Sequence, residues 1–272
     1  KPERLVIKST NDLERNPTEI INLGFGIKYD PAKSPHILVA GGTGSGKSIF
    51  IETLIIQFLQ VGDVGDDIPE VYICDPKNSD LSQLSHYFDE THVSSSLNGI
   101  AKICRLVAEE MEARYEFMQE NFKYGSSYVD HDLLPVWLVF DEMGAFQANG
   151  TDKNSKAIVN EVMDYIRQII LKGRQAGVFI LVSSQQMSAN TLNTDLRDNL
   201  GLRVALGSNS IEGYKMVIGR ASPTPQKKKK KGAGFLYLQG SGKETAQYYE
   251  APWVDREKYN FIEEITKYTS VS

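Results

Sequence analysis

The chain has 272 residues, of which 41% are hydrophobic, and it carries a formal net charge of −5. That length suits one large α/β domain with a buried core, and the composition excludes a fibrous or disordered chain. The charge argues against a uniformly basic nucleic-acid coat, although it is compatible with a local basic patch.

Neither the apolar segments nor the cysteines indicate a membrane or secreted domain. No apolar run approaches the ~20 residues of a membrane helix, and the first residues lack a signal-peptide core. Cys74 lies in an apparent strand and Cys104 in an apparent helix, which is typical of reduced core cysteines. We therefore expect a cytoplasmic domain, with any membrane tether in segments outside this chain.

Strand and helix patterns alternate along the chain, which favours a mostly parallel sheet with helices on both faces. The predicted strands are Ile37–Ala40, Val71–Cys74, Val136–Phe140, Val178–Ser183 and Arg203–Leu206. The predicted helices are Ile49–Val61, Leu97–Tyr124 and Ser155–Leu171. Their apolar stripes have helical spacing and are expected to face the core.

A glycine-rich loop of the form G-x-x-x-x-G-K-[ST] connects the first of these strands to the first helix. Its glycines let the backbone approach an anionic phosphate chain closely. Lys47 is expected to reach the β- and γ-phosphates, and Ser48 to hold Mg²⁺. The predicted nucleotide-binding residues are Gly41, Gly42, Thr43, Gly44, Ser45, Gly46, Lys47, Ser48 and Ile49.

Two carboxylates, Asp141 and Glu142, end the apolar strand at Val136–Phe140. Both acids should emerge beside the phosphate loop, because the carboxyl ends of parallel strands share one edge of a sheet. Asp141 is expected to help hold Mg²⁺, and Glu142 to orient or deprotonate the attacking water. The pair predicts hydrolysis as well as binding.

Two further polar residues permit either a functional or a structural interpretation. Gln185 follows a buried strand, where it could contact the γ-phosphate or the water, or serve only as a turn residue. Arg174 lies near the end of a helix, where it could stabilise the helix dipole or complete a neighbouring active site as an arginine finger. The residues alone leave both questions open.

The C-terminal part combines a hairpin pattern with a run of lysines. Short alternating runs on either side of Gly240–Gly242 predict a hairpin at the sheet edge. Lys227 to Lys231 repel one another, and we expect a disordered insertion over 221–232. A solvated loop and an attraction for nucleic acid or acidic lipid are both compatible with this run.

Taken in order, these motifs resemble the motor domain of the FtsK/SpoIIIE family of hexameric DNA-translocating ATPases. The resemblance extends from about Leu23 to Leu238. It rests on the segments Ser34–Ser48, Cys74–Lys77, Glu110–Tyr115, Val139–Glu142, Gly173–Gly177, Ser184–Gln186 and Leu202–Leu206.

The resemblance implies a RecA-like P-loop NTPase fold, ATP as the nucleotide, and assembly into a hexameric ring with DNA in its central channel. On this basis Arg174, with Arg203 as the weaker candidate, is a finger acting in trans. DNA contacts are expected from Lys153 and Lys156 in one loop and from Lys215 in a second. That second loop departs from the family, because Ser210 and Tyr214 stand where many relatives carry basic residues.

We expect a lead-in segment over 1–22, the ATPase domain over 23–250, and a C-terminal tail or helix over 251–272. The favoured function is a DNA pump of conjugative transfer, belonging to a membrane-anchored bacterial protein, with relaxase or transfer-channel partners. Single- and double-stranded DNA remain equally open. The alternatives are a type VII protein-secretion ATPase and a chromosome-segregation translocase; a non-catalytic docking module is disfavoured by the presence of Lys47, Ser48, Asp141 and Glu142.

Overall fold

A computed structural model describes residues 1–13, 20–60, 70–188, 190–219 and 230–269. Its strands are β1 Val6–Ile7, β2 Ile21–Gly24, β3 Ile27–Tyr29, β4 Ile37–Gly41, β5 Glu70–Cys74, β6 Val93–Ser94, β7 Val136–Phe140, β8 Val178–Ser184, β9 Leu202–Leu206, β10 Ala233–Leu238, β11 Gln247–Glu250 and β12 Trp253–Val254. Its α-helices are α1 Lys47–Gln60, α2 Leu97–Glu120, α3 Met143–Ala148, α4 Lys153–Ala176, α5 Thr194–Arg197, α6 Ile211–Ile218 and α7 Phe261–Thr266. Short 3₁₀ turns lie at Thr10–Leu13, Asp80–His86 and Tyr128–His131.

In the described part of the chain, eight strands form one sheet in the order β11-β10-β9-β4-β8-β7-β5-β6. The strands from β9 to β6 pair in parallel, whereas β10 and β11 are antiparallel. The predicted fold class is therefore confirmed, including the hairpin at the sheet edge. The carboxyl ends of β4, β7 and β8 share one edge, called here the carboxyl edge, and their first residues define the amino edge.

The central strands of this sheet are buried along their whole length because helices cover both of its faces. Alternate residues of β4 point to opposite sides: Ile37 and Val39 pack with α1, while Leu38 and Ala40 pack with α2 and α4. On the α1 side, the rings of Phe58 and Trp137 stack with their centroids 3.9 Å apart.

Helix boundaries differ from the sequence prediction where capping decides them. Helix α4 begins at Lys153, since Asp152 accepts a hydrogen bond from the Ser155 N–H and Ser155 bonds back to the Asp152 N–H. It continues to Ala176 and stops at Gly177, whose φ of 70° is left-handed. Helix α2 stops at Glu120, four residues before the predicted end.

The segments before and after the predicted ATPase domain pack against it. Strand β1 pairs in parallel with β12, and the Gln60 side-chain amide at the end of α1 donates to the Tyr268 hydroxyl. Ile7 and Val254 belong to the same core cluster as α1. Of the predicted disordered insertion, 221–229 lies outside the described residues, whereas 230–232 lead directly into β10 and make the contacts described below.

Candidate nucleotide-binding and hydrolysis site

The glycine-rich loop leaves β4 and wraps around the start of α1. Gly44 and Gly46 have φ values of 77° and 90°, which residues with a Cβ rarely adopt. A Cβ on Gly41 would lie 2.4 Å from the Ser45 hydroxyl oxygen, whereas one on Gly42 or Gly44 would meet nothing within 4 Å. The loop therefore presents bare backbone to open space, as phosphate binding requires.

The predicted acidic pair lies beside the loop lysine. Lys47 Nζ donates a 2.7 Å hydrogen bond to Glu142 Oε1 and lies 3.8 Å from Asp141 Oδ1. Glu142 occupies the position before α3 without capping it through its side chain, and its φ of 53° is a left-handed conformation uncommon for a residue with a side chain. In this conformation the Glu142 carboxylate lies within hydrogen-bonding distance of Lys47.

Asp141 is buried, and its environment is polar on one side. Burial raises the pKa of Asp141, while the Lys47 ammonium and the Ser183 hydroxyl lower it. Ser183 Oγ donates a 2.5 Å hydrogen bond to Asp141 Oδ1 from the adjacent strand β8. The carboxylate is thus fixed in orientation by its sheet neighbour.

Gln185 follows β8 directly and faces the same space. Its backbone N–H lies 3.4 Å from Glu142 Oε2, and the residue lines the cleft with Asp141 and Glu142. The structure thus brings together the residues predicted on β4, β7 and β8. The individual catalytic roles remain predictions.

These residues surround a cleft of about 320 Å³ that also includes four residues absent from the predicted site: Lys77, Ser79, Lys231 and Arg256. The first two follow β5, so the strand-end rule that identified Asp141 could have found them. The other two reach the cleft only through tertiary packing.

The loop after β5 is organised by Asp75. Its Oδ2 accepts hydrogen bonds from the N–H groups of Ser79 and Ser82 and from the Ser79 hydroxyl. This arrangement holds Lys77 at the cleft, with its Nζ 3.9 Å from Glu142 Oε2. Asp75 Oδ1 is buried and accepts no hydrogen bond from the described residues.

The donors present fit Mg²⁺ held mainly by phosphate and water oxygens. Ser48 offers a hydroxyl at the first turn of α1, and Asp141 offers a carboxylate in the same cleft. Among the described residues no cluster of three or more histidine, cysteine or acidic side chains suits a metal. Mg²⁺ commonly uses one or two protein oxygens plus substrate phosphates, which this donor set matches.

Arg174 lies far from its own glycine-rich loop. It occupies the last turn of α4, next to the amino end of β8, and β8 is seven residues long. A strand of that length spans about 20 Å. Arg174 instead lines a second cleft of about 480 Å³ with Lys33 and Gln175.

Arg203 is buried in contacts within its own chain. Its Nη1 donates to the Arg197 carbonyl and lies 3.4 Å from Asp198 Oδ1, and its guanidinium lies over the Tyr237 ring. These contacts give Arg203 a packing role in the described structure, which leaves Arg174 as the stronger finger candidate.

The three lysines predicted to bind DNA are all exposed. The structure corrects the position of two of them: Lys153 and Lys156 lie in the first turn of α4, not in a loop before it, because Asp152 caps the helix there. Lys215 lies on α6, which follows β9 at the carboxyl edge. Tyr214 is fully buried, and its ring packs edge-on against Phe235.

The parallel sheet, the glycine-rich loop and the acidic pair define a P-loop ATPase. The FtsK/SpoIIIE family model matches residues 10–131. The Ftsk domain-containing protein YdcQ of Bacillus subtilis is 35% identical over 241 residues, which cover 88% of this chain and 47% of YdcQ. The chain belongs to the FtsK/SpoIIIE family and spans about half the length of this relative.

Solved structures share the fold at lower sequence identity. The pCW3 conjugation coupling protein TcpA, in a monomer form with ATPγS, is 21% identical, with a TM-score of 0.79 over 98% of this chain and 75% of that chain. EssC from Geobacillus thermodenitrificans is 18% identical, with a TM-score of 0.66 over 89% of this chain and 44% of that chain. Within the described residues, no helix is both long and apolar enough to cross a membrane.

Proposed function

We propose that this ATPase domain moves DNA during conjugative transfer. The observation that carries the hydrolytic part is the convergence of Lys47, Glu142 and Gln185 on one cleft beside the glycine-rich loop. DNA as cargo is supported by the curated relatives that bear the name DNA translocase. The conjugative role is supported by the fold similarity to TcpA, which extends over nearly the whole chain.

In the proposed reaction, the loop N–H groups and Lys47 bind the triphosphate, and Ser48 and Asp141 hold Mg²⁺. Mg²⁺ held by these two residues would supply positive charge to the phosphate oxygens. Glu142 orients the attacking water and accepts its proton, and Gln185, which lines the cleft, is assigned the contact with the γ-phosphate.

The proposed motor is a ring, hexameric in its assembled form, in which Arg174 acts on the neighbour's nucleotide. The trans role is supported by the position of Arg174 at the amino edge, a strand length away from its own loop. The exposed Lys153, Lys156 and Lys215 would contact DNA phosphates, and movement of α4 and α6 with hydrolysis would shift the bound strand.

The deciding experiment measures ATP hydrolysis with duplex DNA, single-stranded DNA and no DNA, over a range of salt. We expect stimulation by at least one DNA form, with a steep decline as salt rises. The triple variant Lys153→Ala, Lys156→Ala, Lys215→Ala should lose stimulation while retaining ATP affinity.

A matched control removes three exposed lysines elsewhere, Lys8, Lys28 and Lys102, and should retain stimulation. EssC shares the fold, so fold similarity does not separate DNA from protein cargo. If the rate of ATP hydrolysis is unchanged by both DNA forms but increases with a secreted polypeptide, the proposal is overturned in favour of protein secretion.

A further inference from the structure

Two cationic residues that were not predicted for the nucleotide site line the nucleotide cleft. Lys231 precedes β10, and Arg256 follows β12 by two residues; both are exposed. Together with Lys47 and Lys77 they make four cationic residues in the lining, against the two carboxylates Asp141 and Glu142. The cleft therefore carries excess positive charge suited to a polyanion.

The segment that carries Lys231 is in direct backbone contact with the glycine-rich loop. The Gly232 N–H donates a 2.8 Å hydrogen bond to the Ser45 carbonyl. A Cβ added to Gly46 would lie 2.7 Å from Gly232 Cα, so the two backbones touch with no room for a side chain. Lys231 is thereby fixed beside the loop that cradles phosphate.

The Arg4 side chain fixes this segment through two hydrogen bonds. Its Nε donates to the Ala251 carbonyl at 2.9 Å, and its Nη2 donates to the Lys231 carbonyl at 2.5 Å. The Ala251 N–H in turn donates to the Gly232 carbonyl. The Trp253 ring lies 5.1 Å from the Arg4 guanidinium carbon and 5.5 Å from Lys231 Nζ. Contacts from both chain ends thus position Lys231.

Arg256 reaches the cleft near α1. Burial raises the pKa of Glu52, on the second turn of α1, and the Arg256 guanidinium lowers it. If Arg256 had a purely structural role, its guanidinium would neutralise the negative charge of the Glu52 carboxylate. That role and nucleotide binding predict different consequences when Glu52 is neutralised.

We propose that Arg256 and Lys231 bind the phosphate chain of the nucleotide in cis, so that the C-terminal segment forms a wall of the ATP site. The inference rests on the proposed binding of ATP at the glycine-rich loop. An arginine on this wall can donate several hydrogen bonds to phosphate oxygens, whereas Lys231 supplies a compact charge.

The test measures the affinities of the full chain for MgATP and for inorganic tripolyphosphate by calorimetry. Arg256→Gln and Lys231→Met should each weaken both ligands about fivefold, a size between those of exposed and charge-assisted contacts. Lys258→Met removes a nearby exposed cation that does not line the cleft, and it should leave both affinities unchanged.

Glu52→Gln separates the two roles of Arg256. If Arg256 binds nucleotide, removing the neighbouring carboxylate should leave affinity unchanged or increase it. A loss as large as that of Arg256→Gln would assign Arg256 to Glu52 and overturn the proposal. Wild-type affinity in Arg256→Gln and Lys231→Met would also overturn it, and so would weakening of MgATP without weakening of tripolyphosphate.

Lys47→Ala distinguishes failure of this inference from failure of the proposed ATP site. If Lys47→Ala abolishes binding while Arg256→Gln and Lys231→Met do not weaken it, only the C-terminal wall is wrong. If Lys47→Ala binds MgATP normally, the glycine-rich loop is not the nucleotide site. Thermal unfolding of every variant checks that a lost affinity does not reflect a lost fold.

Discussion

The two clefts of this molecule differ in how their charges are balanced. In the nucleotide cleft, Lys47 pairs with Glu142, and both lie within one carboxyl edge. In the second cleft, Lys33 and Arg174 face a lining whose described residues include no carboxylate. The first cleft resembles a nearly complete reaction site, and the second resembles a donor of positive charge. Under the proposed function, the two clefts are complementary halves of one site between subunits, and they lie on opposite edges of the sheet.

The largest expected effect is on the first cleft. Glu142→Gln should lower ATP hydrolysis by about 1,000-fold, because the water loses its base, while ATP affinity remains close to that of the wild type. Lys47→Ala should lose binding as well. Steady-state turnover and calorimetry measure the two quantities. The exposed Glu244→Gln variant is the control, and hydrolysis by Glu142→Gln at the wild-type rate would remove Glu142 from the mechanism.

The second cleft is expected to affect ATP hydrolysis only when chains are assembled, because Arg174 would act on the nucleotide of a neighbouring subunit. Arg174→Ala is expected to lower hydrolysis by about 100-fold in assembled chains, with nucleotide affinity retained, because a finger stabilises transition-state charge. Arg167→Ala, an exposed arginine on the same helix, is the matched control.

Mixing Arg174→Ala chains with Lys47→Ala chains provides the decisive comparison. Each mutant keeps the half that the other has lost, so mixed assemblies should regain part of the turnover. Hydrolysis by Arg174→Ala that equals the wild type, or a specific activity that never depends on chain concentration, would contradict the division into two halves.

A third experiment tests how tightly the nucleotide cleft is built. Gly46→Ala should cost about 3 kcal/mol of unfolding free energy, from positive φ and from contact with Gly232. Gly242→Ala shares the positive φ, at 82°, but has open space around it, so it should cost about 1 kcal/mol. Urea denaturation measures both values; equal losses would show that the contact with Gly232 contributes nothing.

The smallest expected effect concerns His36, at the amino edge. His36 Nδ1 accepts a hydrogen bond from the Ile180 N–H, and burial lowers the His36 pKa to about 3. Below pH 6.5 the unfolded chain binds a proton that the folded chain does not. The unfolding free energy therefore decreases as the pH is lowered from 6.5 toward 3. The loss at pH 5 should be about 2 kcal/mol.

His36→Asn tests this sensitivity, because asparagine keeps an acceptor and tolerates the left-handed φ of 69° at this position. The drop in unfolding free energy between pH 7 and pH 5 should be smaller in the variant by about the same amount. An identical drop in both proteins would assign the acid sensitivity to other groups.

The site residues whose positions were predicted correctly from sequence are those that directly follow an apolar strand of the parallel sheet. The glycine-rich loop, Asp141, Glu142 and Gln185 each follow a strongly apolar strand, and parallel strands bring such ends together. Sequence reasoning was less successful at the amino end of α4, where the reciprocal cap of Asp152 and Ser155 starts the helix at Lys153, two residues before the predicted start. Local capping energy, not periodicity, set that boundary.

Long-range packing accounts for most of what sequence reasoning missed. The pairing of β1 with β12 joins residues almost 250 positions apart through strands of only two residues, which are too short to give an alternating pattern. Lys231 and Arg256 reach the nucleotide cleft only because of this closure and the Gly232 contact. From sequence alone, the lysine run is compatible with a solvated loop or with attraction for nucleic acid or acidic lipid, and no role is predicted for Arg256.

The two tryptophans lie in different environments, so their fluorescence should report different structural changes. Trp137 is stacked against Phe58 in the core, whereas Trp253 is half-buried between two cations next to the nucleotide loop. Emission from Trp137 will therefore follow global unfolding, and emission from Trp253 will follow local rearrangement of the C-terminal wall. The chain contains a built-in pair of fluorescent reporters, one for the integrity of the fold and one for the state of its catalytic cleft.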